Sequence, residues 1–227
     1  MSDQSSVFVE VTAADGHVFS AYVAGDPDAP ASIVVVQEIF GVNAHIRSVV
    51  DRYAQLGYLA IAPALFDRAE RGVDLDYTDE GMKAGFAVRE QIDWVTTTVD
   101  VAAAADHVRR DRPVGVVGFC YGGGVAWLCA NEMRIDAVVG YYGGQIHQFI
   151  TRVPKCPILL HFGETDHMIP ASDIVDVRAA HPDIPIYVYP GAGHGFNCDI
   201  RASYDPGASA QAQDRTNEFL ATYLGTR

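Results

Sequence analysis

Residues 116–124 read VVGFCYGGG, and the fold turns on how this stretch is understood. An apolar β-branched run leads into a lone cysteine, Cys120, with Gly118 two residues before it and Gly122, Gly123 and Gly124 close behind. Gly118-Phe119-Cys120-Tyr121-Gly122 fits the G-x-Nuc-x-G elbow, a sharp strand-to-helix turn that lifts a nucleophile above a sheet. The nucleophile there occupies a strained backbone conformation, which explains small residues on either side of it. A helix starting at the turn aims N–H groups and a positive dipole end at the sulfur, favouring thiolate and a developing oxyanion. The alternative is a buried, inert cysteine in a close-packed corner. A nucleophile needs a base, and the base needs an orienting group.

Outward from the elbow, strand and helix patterns alternate. Buried-strand runs occur at ASIVVVQ (31–37), GYLAIAP (57–63), RPVGVVGF (112–119), IDAVVGYYG (135–143), CPILLHFG (156–163) and IPIYVYP (184–190). NAHIRSVVDRYAQLG (43–57) is a helix with an Asn cap and a glycine stop. From about Thr78 to Arg110 a long segment places Met82, Phe86, Ile92, Val95, Val99 and Ala102 at helical spacing, with the threonines 96–98 as its expected break. Residues 169–181 and 206–225 predict two more helices, the second with Ala208, Ala212, Phe219 and Tyr223 on one side. The first 24 residues instead alternate, VFVEVT and HVFSAYVA around the turn AADG, which predicts an antiparallel hairpin. The expected architecture is α/β: a mainly parallel central sheet with helices on both faces and an N-terminal antiparallel hairpin, in a single domain over 1–227.

In such a sheet an acid and then a histidine follow the nucleophile in chain order. LLHFGETDHMIP offers Asp166 just after a buried strand, with Glu164 and His167 as rivals, and YPGAGHGFN offers His194 in a glycine-rich loop after the next strand. Both lie at carboxyl ends of strands, where open α/β sheets place their sites. The expected oxyanion donors are the N–H of Tyr121, directly after the cysteine, and that of Ile39 in VVVQEIFGVN. Glu38 beside it places a carboxylate near the expected sulfur, where it would keep the thiol protonated; the alternative is that it points to solvent or pairs with an arginine such as Arg47.

The totals bound the partners. Asp plus Glu number 29 against 16 Lys plus Arg, a formal net charge of −13, which repels phosphate backbones and anionic lipid, so neither nucleic acid nor membrane is an expected partner. No apolar run approaches the ~20 residues of a membrane span. MSDQSSVFVE does not read as a secretory signal, and the four cysteines show no CxxC spacing, so a cytoplasmic, reducing location is expected. The remaining histidines follow no metal-ligand spacing, so neither a catalytic metal nor a cofactor is expected.

QEIFGVN, GFCYGG, GYYG, DHMIP and GAGHGF, in this order over residues 6–224, resemble the dienelactone hydrolases (carboxymethylenebutenolidases). The resemblance implies the α/β-hydrolase fold and hydrolysis of a lactone or small carboxylic ester by a cysteine acyl-enzyme. By carry-over the triad is Cys120, Asp166 and His194, the oxyanion amides are those of Ile39 and Tyr121, and Glu38 modulates the resting thiol. The chain departs from the family where arginines hold the substrate's carboxylate. Lys83 stands near one of those positions and Cys198 at the other, with Arg201, Arg68 or Arg71 as possible replacements; Ala87 stands near the place of a tyrosine. An anionic substrate needs such a cation. The expected state is monomer or small homo-oligomer, and the alternative function is a non-catalytic relative that binds a small ligand.

Overall fold

The computed structural model describes residues 6–225. They fall into two compact units, one up to Gly115 and one from Val116 onward. In the first unit, β1 (Val7–Thr12) and β2 (Val18–Ala24) form the antiparallel hairpin, with Val7 opposite Val23 and Thr12 opposite Val18. β2 runs antiparallel to β4 (Leu59–Pro63), and β3 (Ser32–Val36) pairs parallel with β4, giving the order β1-β2-β4-β3. Every residue of β3 and β4 is buried, as continuous β-branched and alanine runs require when a strand is covered on both faces.

Helix α1 (Ala44–Gln55) starts at Asn43, whose side chain accepts the Ile46 N–H at 3.2 Å, and the chain turns at Gly57 with φ 91°. The long helical segment divides earlier than the threonines suggest, into α2 (Asp79–Arg89) and α3 (Trp94–Arg109). Asp93 is the reason: its carboxylate caps α3 by accepting from the N–H groups of Val95 and Thr96. Thr97 and Thr98 then bury inside α3, with their hydroxyls donating back to the carbonyls of Asp93 and Val95. Phe86 and Val95, placed on the apolar face by spacing alone, are exposed, and α3 buries Val101, Ala104, Ala105 and Val108 instead.

The polar stretch 67–81 is pinned at its start by a buried ion pair. Arg68 reaches across to Asp100 of α3 with two bonds of 2.7 Å and also meets Asp15 at 2.9 Å. Asp100 is fully buried, so the guanidinium's fork supplies the partners that a desolvated carboxylate needs.

β5 (Val114–Phe119) runs across the boundary at residue 116 and, with β6 (Ala137–Tyr141), β7 (Ile158–Gly163) and β8 (Ile186–Tyr189), lies side by side in chain order. β6, β7 and β8 are parallel, with Tyr141 opposite His161 and His161 opposite Tyr187. α4 (Tyr121–Glu132) is buried along almost its whole length and packs on β6; α5 (Ala171–Ala180) precedes β8; α6 (Pro206–Leu224) packs on β6 and β7. α6 buries Ala208, Ala212, Thr216, Leu220 and Leu224, a strict four-residue row, so Tyr223 points out to solvent. Among the described residues no helix is long and apolar enough to cross a membrane.

Candidate active site

Cys120 sits between the last residue of β5 and the first of α4, with φ 54° and ψ −115°. A side chain rarely tolerates that region, and the surrounding backbone holds it there: the Cys120 N–H donates to the Tyr141 carbonyl at 3.0 Å, and its own carbonyl accepts from Gly123 at 2.9 Å. The glycines are sterically required. A Cβ on Gly118 would collide with the Gly122 carbonyl, and one on Gly123 would lie 2.8 Å from the Gly143 Cα. Cys120 is buried at 6% exposure, and Tyr121, the first residue of α4, sets the positive end of the helix dipole directly after it.

The loop after β7 brings in Asp166. One carboxylate oxygen accepts the Met168 N–H at 2.8 Å and the other lies 2.8 Å from His194 Nδ1. Its side chain is fully buried, and that of His194 is 11% exposed. The rivals do other work: Glu164 accepts the Gly191 N–H at 2.9 Å at the surface, and His167 is exposed. The His194 loop is itself anchored. Asn197 accepts from Ser209 and Gln213 of α6, the Phe196 carbonyl accepts from Asp205, and the His194 ring lies 5.1 Å from that of Tyr142.

Burial works against a charged imidazole at His194, but its electrostatic interaction and hydrogen bonding with Cys120, together with the Asp166 carboxylate, outweigh it and push its pKa up to about 10. With Nδ1 taken by Asp166, Nε2 is the ring nitrogen left over, and it is buried without a hydrogen-bond partner among the described residues. The arrangement can take a proton from the thiol and hold it as imidazolium.

Arg201 folds back so that a Cβ on Gly195, the residue after His194, would fall 2.8 Å from its Cζ. Of the other candidate cations, Arg68 is committed to Asp100 and Asp15, and Arg71 donates to the Val18 carbonyl beside Glu10. Lys83 is exposed on α2. In the first unit Glu38 is fully buried and accepts from the Tyr77 hydroxyl at 2.6 Å, while Arg47 pairs with Asp74 instead. Ile39 is buried, with α2 packed on its carbonyl through Gly85. His45, buried with a ring nitrogen within 4.8 Å of a Glu38 carboxylate oxygen, joins this cluster; the sequence offered no metal-ligand spacing to single it out.

A strand-borne nucleophile position, an acid after a later strand and a histidine after the last are the pattern of the α/β-hydrolase fold. A solved chain from Klebsiella pneumoniae, assigned as a dienelactone hydrolase, has this architecture with a TM-score of 0.84 at 29% identity, covering 96% of this chain and all of its own. An esterase from Pyrococcus furiosus shares the fold alone, with a TM-score of 0.72 at 16% identity over 97% of this chain and 92% of its own. The carboxymethylenebutenolidase of Pseudomonas putida is 35% identical over 224 residues, 94% of this chain and 95% of its own. Residues 19–224 match the model of the dienelactone hydrolase family. The chain belongs to the dienelactone hydrolase family and is a hydrolase.

Proposed function

We propose that the chain hydrolyses a lactone or small carboxylic ester through a cysteine acyl-enzyme, with Cys120, Asp166 and His194 as its triad. The observation that carries this is the 2.8 Å Asp166–His194 pair, whose second ring nitrogen is left to a cysteine in the left-handed elbow conformation. Cys120 Sγ attacks the carbonyl carbon as His194 takes the thiol proton, and the carbonyl electrons move onto oxygen. The amides of Tyr121 and Ile39 receive that oxyanion. Collapse breaks the bond to the alkoxide or enolate oxygen, which takes the proton back from His194 and leaves a thioester. Water then attacks the thioester, giving its proton to His194; the carboxylic acid departs and the sulfur is reprotonated. Asp166 keeps the Nδ1–H tautomer and stabilises the imidazolium throughout. No step calls for a metal or cofactor.

Glu38 is read as the carboxylate that tunes the resting thiol, which its resemblance-based position and complete burial support. The substrate is a small molecule, and an anionic one fits Arg201, the candidate cation lying against the histidine loop, with Lys83 as the second. We read residues 1–227 as one α/β-hydrolase domain, cytoplasmic, a monomer or small homo-oligomer, without nucleic-acid or membrane partners. The net charge of −13 and the four cysteines, none of them in a disulfide, support that location and partner set. The test is Cys120→Ala assayed on a panel of aryl esters and small lactones. Turnover is expected to vanish while the circular dichroism spectrum is kept; turnover at the wild-type rate would refute the acyl-enzyme.

A further inference from the structure

The four strands β5 to β8 carry a continuous row of rings. Phe119 of β5 stacks on Tyr141 of β6 at 4.9 Å, Tyr141 lies tilted against His161 of β7 at 4.6 Å, and His161 stacks on Tyr187 of β8 at 6.0 Å. The strand register sets this up, since Tyr141 faces His161 and His161 faces Tyr187 across the parallel ladder. Arg215 of α6 closes the outer end, 4.0 Å over the Tyr187 ring. A polar chain runs along the same row: Tyr189 hydroxyl to His161 Nδ1 at 2.8 Å, His161 Nε2 to Thr216 Oγ1 at 3.0 Å, and Thr216 Oγ1 to the Tyr141 hydroxyl at 2.7 Å. Tyr141, His161, Thr216 and Tyr189 are all buried.

An aliphatic row would fill this space without burying four polar groups, and such groups are tolerated in a core only when each is satisfied. What they fix is visible at the inner end. The Tyr141 carbonyl holds the Cys120 N–H at 3.0 Å, and the Tyr142 N–H donates to the His161 carbonyl at 2.7 Å. Tyr142, with φ 39°, sets its ring beside His194. One dipeptide therefore touches both the cysteine's backbone and the imidazole. We infer that Thr216 and His161 are positioning residues: through the Tyr141 hydroxyl they lock Tyr141–Tyr142 and so hold Cys120 and His194 in mutual register. This inference rests on the Cys120–His194 chemistry proposed above. Thr216 is the joint, because its single hydroxyl meets both Tyr141 and His161.

Thr216→Val keeps the shape and removes the joint, and Thr216→Ser keeps the joint. Ester hydrolysis per folded molecule is measured for both, together with Cys120→Ala, and the His194 imidazole is followed by NMR. Thr216→Val is expected to lower kcat about tenfold or more with KM nearly unchanged and to move the His194 resonances, because small misplacement of reacting groups is costly. Thr216→Ser is expected to restore kcat to within about threefold of wild type. A Thr216→Val protein that melts earlier but keeps kcat and the His194 resonances makes the network purely structural and overturns the inference. Should that variant not fold, Tyr141→Phe, which removes the same hydrogen bond from its other end, is judged by the same criteria. Turnover in Cys120→Ala would sink the acyl-enzyme itself; loss there with unchanged kcat in Thr216→Val would sink the positioning role alone.

Discussion

Asp166→Asn tests the triad through the exchange of one oxygen for an NH2. In the native site one oxygen of Asp166 accepts the Met168 N–H at 2.8 Å and the other faces His194 Nδ1 at 2.8 Å. An asparagine here is not free to flip, because its carbonyl oxygen must take the Met168 N–H, and its NH2 is therefore turned towards Nδ1. Nδ1 must then become the acceptor, so the imidazole proton moves to Nε2, the nitrogen left for the sulfur. The base is lost while shape and volume are kept. The same exchange in serine triads lowers kcat about ten-thousand-fold, and each factor of ten is about 1.4 kcal/mol of barrier. Asp166→Asn is accordingly expected to raise the barrier by about 4–5.5 kcal/mol, a fall of about 10³ to 10⁴ in kcat, with KM little affected. Stopped-flow hydrolysis of an activated ester measures this, with Glu164→Gln as the control, since Glu164 only accepts the Gly191 N–H at the surface. An Asp166→Asn enzyme within about threefold of wild type would refute the tautomer argument, and a large loss in Glu164→Gln would reassign the acid.

Other consequences are equally direct. His194, held up to about pH 10 mainly by Cys120 and Asp166 against its burial, is expected to titrate markedly lower in Cys120→Ala when followed by NMR; an unchanged titration would dissociate it from the sulfur. His161 is pushed down to about 3 by burial and by Arg215, so the fold holds it neutral. Its contribution to stability is complete above the ordinary histidine value of about 6.5 and falls as pH drops towards 3, by up to about 1.4 kcal/mol per pH unit. Denaturant melts between pH 7 and pH 4 should show that slope, reduced in His161→Gln, and an equal slope in both proteins contradicts it. Asp100→Ala leaves Arg68 without its buried partner and is expected to cost about 3 kcal/mol, or about 6–12 °C in melting temperature; a loss below about 1 kcal/mol would show the clamp to be dispensable. Gly118→Ala drives a Cβ into the Gly122 carbonyl and should abolish both turnover and normal thiol reactivity, whereas an active variant would mean that the elbow can relax.

Local patterns were good guides wherever one segment governs its own conformation. The strands at 31–37, 57–63 and 112–119, the Asn43 cap and the elbow glycines follow from runs, caps and turn chemistry that need no partner. The long segment from Thr78 shows where that stops. Spacing put Phe86 and Val95 on the buried face, but Asp93 starts a new helix and resets the phase, so both side chains face water. The same holds for α6, where the four-residue row through Thr216 buries Leu220 and Leu224 and turns Tyr223 outward.

The order of Cys120, Asp166 and His194, the glycines around the first and the run of strands that carries them were fixed by the chain itself, because each is a statement about neighbours in sequence. Only the tertiary structure set Asp166 rather than Glu164 against the His194 ring, committed Arg68 to Asp100 and laid Arg201 against Gly195. It alone assembled Phe119, Tyr141, His161 and Tyr187 into one row. The physical reason is the same in each case: a charge or a ring takes its partner from across a loop or strand register, at a distance in sequence that no local periodicity encodes.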